Sequence, residues 1–406
     1  MNTKNFVADT GIIRHRHTLA DGRDLIYFDD PDSTLPPERA PDLRELDPRP
    51  ATARMRQDPL SGEWVSIAAT RQNRVFLPPA HLDPLAPATP ENPSEVPSNY
   101  DVAVFENKSP SFGPLLTDAD APTGQDDLTR IGLGRIRTSV GRCEVVCFSP
   151  ATEGSFGSLS VTRARTVIEA WAERTHALSA LPGIEQVFPF ENRGEAIGVT
   201  LHHPHGQIYS YPYVTPRSQR VIAALDSYGP TLFADILASE RAGDRVILTG
   251  EHWSAFVPFA ARWPIEVHML PHRQVPDFAG TTLAERDELA VLYRRLLRAL
   301  DAIYRTPTPY IAAWHQAPVN TRRDEIRLML QVTSPRRAED KLKFLAGSEA
   351  AMGAWIGDVT PEQAAVTIRA ALERSDAADA ANAANAAADA VGQAERAANL
   401  PGMAQS

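Results

Sequence analysis

Three histidines and one glutamine lie in a short segment that begins after residue 201, and their side chains could support phosphoryl chemistry. An extended segment alternates its side chains between two faces. His203, His205 and Gln207 would then share one face, and His202 would take the other. We therefore predict that one strand presents two imidazoles and an amide to a single pocket.

A neutral imidazole attacks phosphorus readily and also leaves readily, which suits a two-step transfer of a nucleotidyl group. Gln207 could donate hydrogen bonds to the phosphoryl oxygens as charge develops on them. Arg71 and Arg74 are candidates for a phosphate clamp, because each guanidinium group offers a fork of donors. These residue types together predict a nucleotidyltransferase site.

Other catalytic motifs are absent from the sequence. There is no Gly-x-Ser-x-Gly nucleophile turn, no Walker A loop and no Rossmann glycine fingerprint. His203 and His205 could both face a metal ion, but a third ligand at short or helical spacing is missing, as is a His-Glu-x-x-His motif. Zinc hydrolysis is therefore the less favoured interpretation of the cluster.

The composition is that of an ordinary globular protein, with 43% hydrophobic and 23% charged residues over 406 positions. The net charge of -10 argues against a sequence-independent nucleic-acid binder, which needs a concentrated basic surface. No apolar run approaches the roughly 18 residues of a membrane span, and the first residues lack the apolar core of a secretory signal. We expect no nucleic-acid partner, no membrane partner and a cytoplasmic location.

The two cysteines, Cys143 and Cys147, lie in one predicted strand. Four residues of strand span about 13 Å, beyond the roughly 7 Å over which a disulfide joins two alpha carbons. We therefore predict two buried free thiols, which also favours the cytoplasm.

The order strand, helix, strand, strand occurs twice along the chain, which indicates an internal duplication. The predicted strands are residues 144–148, 186–190, 201–209, 265–270, 310–314 and 325–332. The second predicted helix carries leucines from Leu289 to Leu300 at three- and four-residue spacing. The pattern predicts an α+β fold of two halves packed as one body.

Four segments follow from this pattern. Residues 1–50 are polar and proline-rich and are interpreted as an N-terminal arm, residues 51–220 as the first half, and residues 221–372 as the second half. Residues 373–406 form an alanine-rich tail with almost no large apolar side chains. Such a tail cannot bury a core, so it forms either a marginal helix or a disordered segment.

The chain resembles the galactose-1-phosphate uridylyltransferases, a two-repeat branch of the histidine-triad superfamily, from about residue 54 to about residue 363. The blocks that carry the resemblance are Asp58-Pro59-Leu60-Ser61-Gly62-Glu63-Trp64-Val65, Val104-Phe105-Glu106-Asn107, Phe190-Glu191-Asn192-Arg193-Gly194, His203-Pro204-His205-Gly206-Gln207, Trp314-His315-Gln316-Ala317-Pro318 and Lys341-Leu342-Lys343-Phe344-Leu345-Ala346-Gly347. The resemblance implies duplicated histidine-triad-like halves, each an antiparallel sheet with packed helices, that form one body.

The resemblance also implies a ping-pong exchange of UMP between UDP-glucose and galactose 1-phosphate. His205 would attack the α-phosphorus and carry the uridylyl group, while Gln207 would hold the non-bridging oxygens. The residues assigned by the resemblance to the nucleotide and phosphates are Arg71, Arg74, Asn107, Asn192, Gly198 and Thr200. Those assigned to the sugar are Lys343, Phe344 and Glu349. Family members are typically homodimers, so the sugar-side residues would act on the partner's site.

The family's zinc ligands are not retained. Many members carry Cys-Pro-x-Cys-Pro where this chain has Asp83-Pro84-Leu85-Ala86-Pro87, and the family's next zinc-binding histidine is replaced by Thr152 or a neighbour. The resemblance therefore makes Asp83, Ala86, Thr152 and His203 vestigial zinc positions. The late strand also lacks the His-x-His of a second metal site, although His315 remains. We expect that no metal is required.

Two alternatives remain open at this point. One is a nucleotidyltransferase of the same fold that acts on a different sugar 1-phosphate or nucleotide, which would differ mainly in the sugar pocket. The other is a nucleotide-sugar-binding protein without turnover. Retention of both His205 and Gln207 argues against the second alternative, because binding alone has no need of that pair.

Overall fold

The computed structural model describes residues 10–49, 51–69, 72, 77–114 and 129–398. The strands are β1 (Ile13–Thr18), β2 (Asp24–Asp29), β3 (Arg54–Gln57), β4 (Trp64–Ile67), β5 (Val102–Glu106), β6 (Thr129–Ile131), β7 (Gly134–Thr138), β8 (Arg142–Cys147), β9 (Gln186–Arg193), β10 (His205–Tyr211), β11 (Val246–Thr249), β12 (Trp253–Phe256), β13 (Ile265–Pro271), β14 (Tyr310–His315), β15 (Met329–Ser334), β16 (Arg336–Ala338) and β17 (Lys341–Leu342). The helices are α1 (Val161–Ser179), α2 (Pro216–Tyr228), α3 (Leu232–Arg241), α4 (Leu283–Asp301), α5 (Gly347–Met352) and α6 (Pro361–Ala398).

One antiparallel sheet of eleven strands runs through both halves of the protein, in the order β1-β2-β5-β8-β10-β9-β14-β15-β13-β12-β11. The first half contributes β2-β5-β8-β10-β9 and the second half β11-β12-β13-β15-β14, so each half places its strands in the same order from edge to centre. Helix α1 connects β8 to β9, and α4 connects β13 to β14 in the same way. The duplicated α+β fold is therefore confirmed, with its seam between β9 and β14.

Helices α1 and α4 pack against one face of this sheet and against each other. The leucine stripe of α4 is buried, with Leu289, Leu296 and Leu300 all at 0% exposure, as the spacing predicts. Trp171 of α1 and Trp314 of β14 lie 6.0 Å apart between ring centroids. Each such side chain contributes roughly 1.5–3 kcal/mol through burial, so the two helices join the halves into one core.

Residues 13–29 are part of the main sheet rather than a peripheral arm. Strand β2 pairs with β5, and the side chains of Ile26 and Phe28 are buried in the main core. The proline-rich stretch that follows β2 led to the interpretation of these residues as an arm. A second, four-stranded sheet in the order β4-β3-β7-β6 lies beside the first half.

The alanine-rich segment continues α6 as one helix to Ala398. The first turns of α6, before the alanine-rich segment, bury Ala365 and Ile368 against the core. Further along, Asp376 pairs with Arg295 of α4 at 2.7 Å. Of the two predicted alternatives, a marginal helix or a disordered segment, the structure contains the helix as far as Ala398. Helix α4 supports it through ion pairs as well as packing.

Two further predictions have definite outcomes. Cys143 and Cys147 are both free and buried, as predicted. The strand predicted for residues 325–332 begins only at Met329, because residues 321–325 form a bend and turn before it. Among the described residues, no single helix is long and apolar enough to cross a membrane, and α2 with α3 meets that test only as a pair bent by 89°.

Candidate active site

Strand β10 carries the predicted catalytic segment and lies between β8 and β9. His205 is opposite Cys147 of β8, and Gln207 is opposite Phe190 of β9. Gly206 separates them because no larger residue fits. A β-carbon at Gly206 would lie 2.9 Å from the Phe148 ring and 3.0 Å from the Phe190 carbonyl oxygen. The glycine thus allows the backbone at His205 to pack closely against both neighbouring strands.

The ring of His205 is held in one tautomer. Its Nδ1 lies 2.7 Å from the carbonyl oxygen of His203. A carbonyl can only accept a hydrogen bond, so Nδ1 carries the proton and Nε2 carries the lone pair. Burial lowers the pKa of His205, and this effect exceeds the opposing hydrogen bond to the His203 carbonyl. The neutral, nucleophilic form therefore predominates at neutral pH.

His203 is buried, and the protein occupies both of its ring nitrogens. Nδ1 lies 2.7 Å from Oδ2 of Asp83, and Nε2 lies 2.8 Å from the carbonyl oxygen of Ser149 and 3.0 Å from the hydroxyl of Tyr100. Burial would raise the pKa of Asp83, but the hydrogen bond and charge of His203 outweigh it, so that pKa is lowered. The ionised carboxylate thus fixes His203 directly before the catalytic strand.

The vestigial zinc positions do not form a metal site. Ala86 offers no ligand atom in its side chain, and both nitrogens of His203 already have protein partners. In the part of the chain that the structure describes, no group of three His, Cys, Asp or Glu residues is arranged to hold a metal ion. The residues present do not fit a tetrahedral zinc site, which needs four ligands.

A cleft of about 370 Å³ opens at the start of β10 and the end of β9. Its described lining residues are Pro78, Ala80, Asp83, Thr152, Glu153, Gly154, Ser155, Glu191, Asn192, Arg193, Gly194, Val199, Leu201, His202, His203, Pro204 and His205. Of the predicted site residues, this cleft brings together Asn192 and His205 with three of the four vestigial zinc positions, Asp83, Thr152 and His203, but not Ala86. Its size suits a small ligand.

Three predicted residues lie within two positions of a lining residue without lining the cleft themselves: Gln207, Gly198 and Thr200. Asn107 lies further off, because its amide donates to the carbonyl of Cys143, at the other end of β8 from the residue opposite His205. Gln207 is half-buried on the strand of His205, two residues further along. The carbonyl of Thr200 accepts a hydrogen bond from the Leu77 amide at 2.8 Å, and Gly198 is exposed with a φ of 80°. Asn107 accepts a hydrogen bond from the Ser109 amide at 2.9 Å. Arg71 and Arg74 lie outside the described residues.

The three predicted sugar-side residues lie in the second half, away from this cleft. Lys343 is buried and pairs with Glu349 at 2.7 Å, and its Nζ donates to the Arg262 carbonyl at 2.8 Å. Phe344 is 76% exposed. The pair therefore braces the loop within its own chain, and Phe344 points outward from it.

The cleft contains two further residues that the sequence patterns left without a role. Arg193 lies at the end of β9, and its Nη1 donates to Asp301 of α4 at 2.7 and 2.8 Å. Glu191 is buried beneath it and accepts a hydrogen bond from the Tyr310 hydroxyl at 3.0 Å. Both partners come from the second half, so the floor of the cleft is built across the seam.

Two family models cover most of the chain: the N-terminal domain of galactose-1-phosphate uridyl transferase over residues 44–215, and the C-terminal domain over residues 214–380. The chain belongs to the galactose-1-phosphate uridylyltransferase family. It is therefore an enzyme of the uridylyltransferase class. The two models meet within a few residues of the boundary predicted after residue 220, which the structure places inside α2.

Individual members of the uridylyltransferase family match over most of their length. The galactose-1-phosphate uridylyltransferase of Streptomyces lividans is 42% identical over 368 residues, covering 86% of this chain and 96% of its own. The galactose-1-phosphate uridylyltransferase of Thermotoga maritima is 31% identical over 326 residues, covering 78% of this chain and 97% of its own. A solved uridylyltransferase structure superposes with a TM-score of 0.70 at 29% identity, covering 79% of this chain and 99% of its own.

Proposed function

We propose that this chain exchanges UMP between UDP-glucose and galactose 1-phosphate through a uridylyl group carried on His205. The observation that supports this is the fixed tautomer of His205. Its Nδ1 proton is held by the His203 carbonyl, and the ring lines the cleft with no partner on Nε2 among the described residues. An imidazole so arranged is a ready nucleophile for phosphorus.

The first half-reaction forms one bond and breaks one bond. Nε2 of His205 attacks the α-phosphorus of UDP-glucose, and the phosphoanhydride bond to glucose 1-phosphate breaks. The electron pair leaves on the phosphate oxygen, so no proton has to be supplied. The positive charge that develops on the ring is stabilised through Nδ1–H and the His203 carbonyl.

The second half-reaction is its reverse with a different sugar. A phosphate oxygen of galactose 1-phosphate attacks the uridylyl phosphorus, the P–N bond breaks, and His205 returns to its neutral form. Gln207 is the residue we propose to donate hydrogen bonds to the non-bridging oxygens in both steps, since it lies on the same face of β10. Asn107, Asn192, Gly198 and Thr200, with Arg71 and Arg74, are proposed to contact the nucleotide and its phosphates.

We propose that this transfer needs no metal ion. The position of a tetrahedral site is taken by Asp83, which pairs with His203, and by Ala86 and Thr152. The hydrogen bonds of His203 to Asp83, Ser149 and Tyr100 would supply the rigidity that metal coordination gives elsewhere.

We also propose a homodimer in which Lys343, Phe344 and Glu349 complete the sugar pocket of the partner. The exposure of Phe344 together with that of Met352 and Ile356 in the same segment supports this, because a group of exposed apolar side chains marks an interaction surface. Mixing His205→Ala with Phe344→Ala protein tests it. Each variant should be weakly active alone, and mixed dimers should regain activity; no recovery after exchange of subunits would contradict the shared site.

The reaction is proposed to take place in the cytoplasm. Two free, buried cysteines are consistent with a reducing compartment. Cell fractionation with an antibody to the full chain would test this, and recovery from an extracellular or membrane fraction would contradict it.

The test of the proposed chemistry uses UDP-glucose alone. Intact mass spectrometry should detect an increase of one uridylyl group, and His205→Ala should abolish it. Binding of UDP-glucose with no adduct would favour the binding protein without turnover. Adding galactose 1-phosphate or other sugar 1-phosphates to the adduct then identifies the acceptor, since only the true acceptor should discharge it rapidly.

A further inference from the structure

Arg193 is anchored so that part of its guanidinium group remains available at the cleft. Nη1 is held by the two oxygens of Asp301 at 2.7 and 2.8 Å. The guanidinium carbon lies 5.5 Å from the centroid of the Tyr310 ring, which supports its flat face. Among the described residues, no side-chain or carbonyl oxygen accepts a hydrogen bond from Nε or Nη2. A fixed guanidinium with two available donor nitrogens, which carry three N–H groups, is a geometry suited to phosphate oxygens.

The charge distribution in the cleft makes Arg193 the principal cation there. Among the described lining residues it is the only lysine or arginine. Of the acidic lining residues, Asp83 is engaged by His203 and Glu153 is exposed. A nucleoside diphosphate brings negative charges into this space, and Arg193 would contribute to balancing them alongside Arg71 and Arg74, which are proposed above to contact the same phosphates.

We propose that Arg193 binds the diphosphate of the nucleotide sugar through Nε and Nη2, as a further binding residue of this site. The proposal rests on the proposed function, which brings a nucleoside diphosphate into this cleft. It concerns the ground state and the departing phosphate, whereas the nucleophile remains His205.

Glu191 supports this assignment from beneath. It is 4% exposed, and its Oε2 has no hydrogen-bond partner within the described part of the chain. Burial raises its pKa to about 8, and the Tyr310 hydrogen bond and the charge of Arg193 only partly oppose this. The negative charge of Asp301 also raises the pKa of Glu191. Since Glu191 is neutral at pH 7, it does not compete with a ligand for the charge of Arg193.

Binding of UDP and of uridine to the full-length protein, measured by calorimetry, separates the phosphate contact from the rest. Arg193→Gln should weaken UDP binding by about 10- to 100-fold, since a hydrogen bond to a charged group contributes roughly 1.5–3 kcal/mol. Uridine binding should not change. Arg193→Lys should retain part of the UDP affinity, because it keeps the charge and loses the fork of donors.

Two controls make the result specific. Arg295→Gln removes the same charge from an arginine of α4 that pairs with Asp376 outside the cleft, and it should leave UDP affinity within about twofold because the intervening solvent screens it. Asp301→Asn removes the anchor but leaves the cation, so UDP affinity should hold or rise. If Arg193 were only half of a structural ion pair, Asp301→Asn and Arg193→Gln would cause equal losses.

Equal loss of UDP and uridine affinity in Arg193→Gln, or no loss of either, would overturn the proposal. The His205 adduct is measured in parallel on the wild-type protein. Absence of that adduct with normal UDP binding would refute the proposed transfer and leave the Arg193 assignment standing, so the two failures are distinguishable.

Discussion

Strands β10 and β15 occupy the same place in the two halves of the sheet, and their polar residues are used in opposite ways. In the second half, Gln331 donates to Glu266 at 2.6 Å and contacts Nε2 of His315 at 3.1 Å, while His268 lies 3.3 Å from the same carboxylate. Each side chain in this cluster has a side-chain partner within it. In the first half, the ring of His205 contacts a backbone carbonyl through Nδ1 and has no side-chain hydrogen-bond partner among the described residues.

The difference shows that fold and polarity alone do not make an active site. Both halves place imidazoles and amides on the same kind of antiparallel strand. The second half closes its polar groups into mutual hydrogen bonds, which stabilise a buried cluster. The first half leaves one lone pair without a partner among the described residues and provides a cleft beside it.

The comparison is tested most strongly by replacing one histidine of each half with alanine. His205→Ala should reduce uridylyl transfer by more than roughly 10³-fold, because the covalent route is lost. His315→Ala should leave transfer within a few-fold of wild type. Steady-state assay of both variants would check this, and a comparable loss in His315→Ala would mean that the second cluster takes part in the chemistry.

The support behind the nucleophile is tested by Asp83→Ala. Removing one member of a buried, hydrogen-bonded pair costs about 1–3 kcal/mol, because the other member is left without its partner. We expect a lower denaturation midpoint together with slower formation of the His205 adduct. Asp83→Asn should recover part of the stability, and wild-type behaviour of Asp83→Ala would show that Tyr100 and Ser149 hold His203 alone.

The closed cluster of the second half is tested by Gln331→Leu. This change leaves Glu266 and His315 each without one partner and should lower the free energy of unfolding by about 1–3 kcal/mol. The rate of adduct formation per folded molecule should be unchanged. Chemical denaturation and single-turnover kinetics together would check this. Slower adduct formation without a loss of stability would mean that the second-half cluster takes part in the chemistry.

Glu191 gives the seam between the halves a pH dependence. Because burial raises its pKa from the usual 4.5 to about 8, the folded protein keeps this proton where the unfolded chain has lost it. Its contribution to stability is therefore complete below pH 4.5 and is lost as the pH rises through 8. Glu191→Gln should lessen the loss of stability between pH 5 and 9 by more than about 1 kcal/mol. If wild type and Glu191→Gln showed the same dependence of unfolding free energy on pH, this prediction would be contradicted.

The smallest expected effect is that of a chelator. Since Asp83 and Ala86 stand where a zinc site would need thiolates, treatment with EDTA should change neither transfer nor the melting temperature. Elemental analysis of the purified protein provides the check, and stoichiometric zinc or iron whose removal abolishes transfer would refute the proposal.

Local patterns were sufficient to predict the leucine stripe of α4, the free cysteines and a strand that carries His205 and Gln207. That strand begins at His205 rather than at residue 201, so His203 lies before it, and Gln207 does not line the cleft. These features depend on side-chain alternation and periodicity, which a linear sequence displays directly. The family resemblance added the histidine-triad character of the two halves and assigned roles to His203 and His205. The resemblance also associated Asp83 with His203, but as remnants of a metal site rather than as a hydrogen-bonded pair.

Contacts between distant parts of the chain could not be predicted. Arg193 and Asp301 are separated by 108 positions, and their pairing depends on the register of β9 against β14. Strand β2 pairs with β5 across a proline-rich stretch, so no local pattern identifies it as part of the main sheet. Arg193 follows Asn192 within a predicted block, and its position at the end of a strand was the one available signal.

The seam between β9 and β14 has a consequence for how the protein behaves on dilution. If the two halves were separate chains, they would dissociate at low concentration. The residues that form the floor of the cleft would then separate as well. Covalent linkage replaces that dependence with a high effective concentration that the chain itself sets. The pairing of Arg193 with Asp301 and of Glu191 with Tyr310 therefore persists however scarce the enzyme becomes, because both halves of each pair are made together.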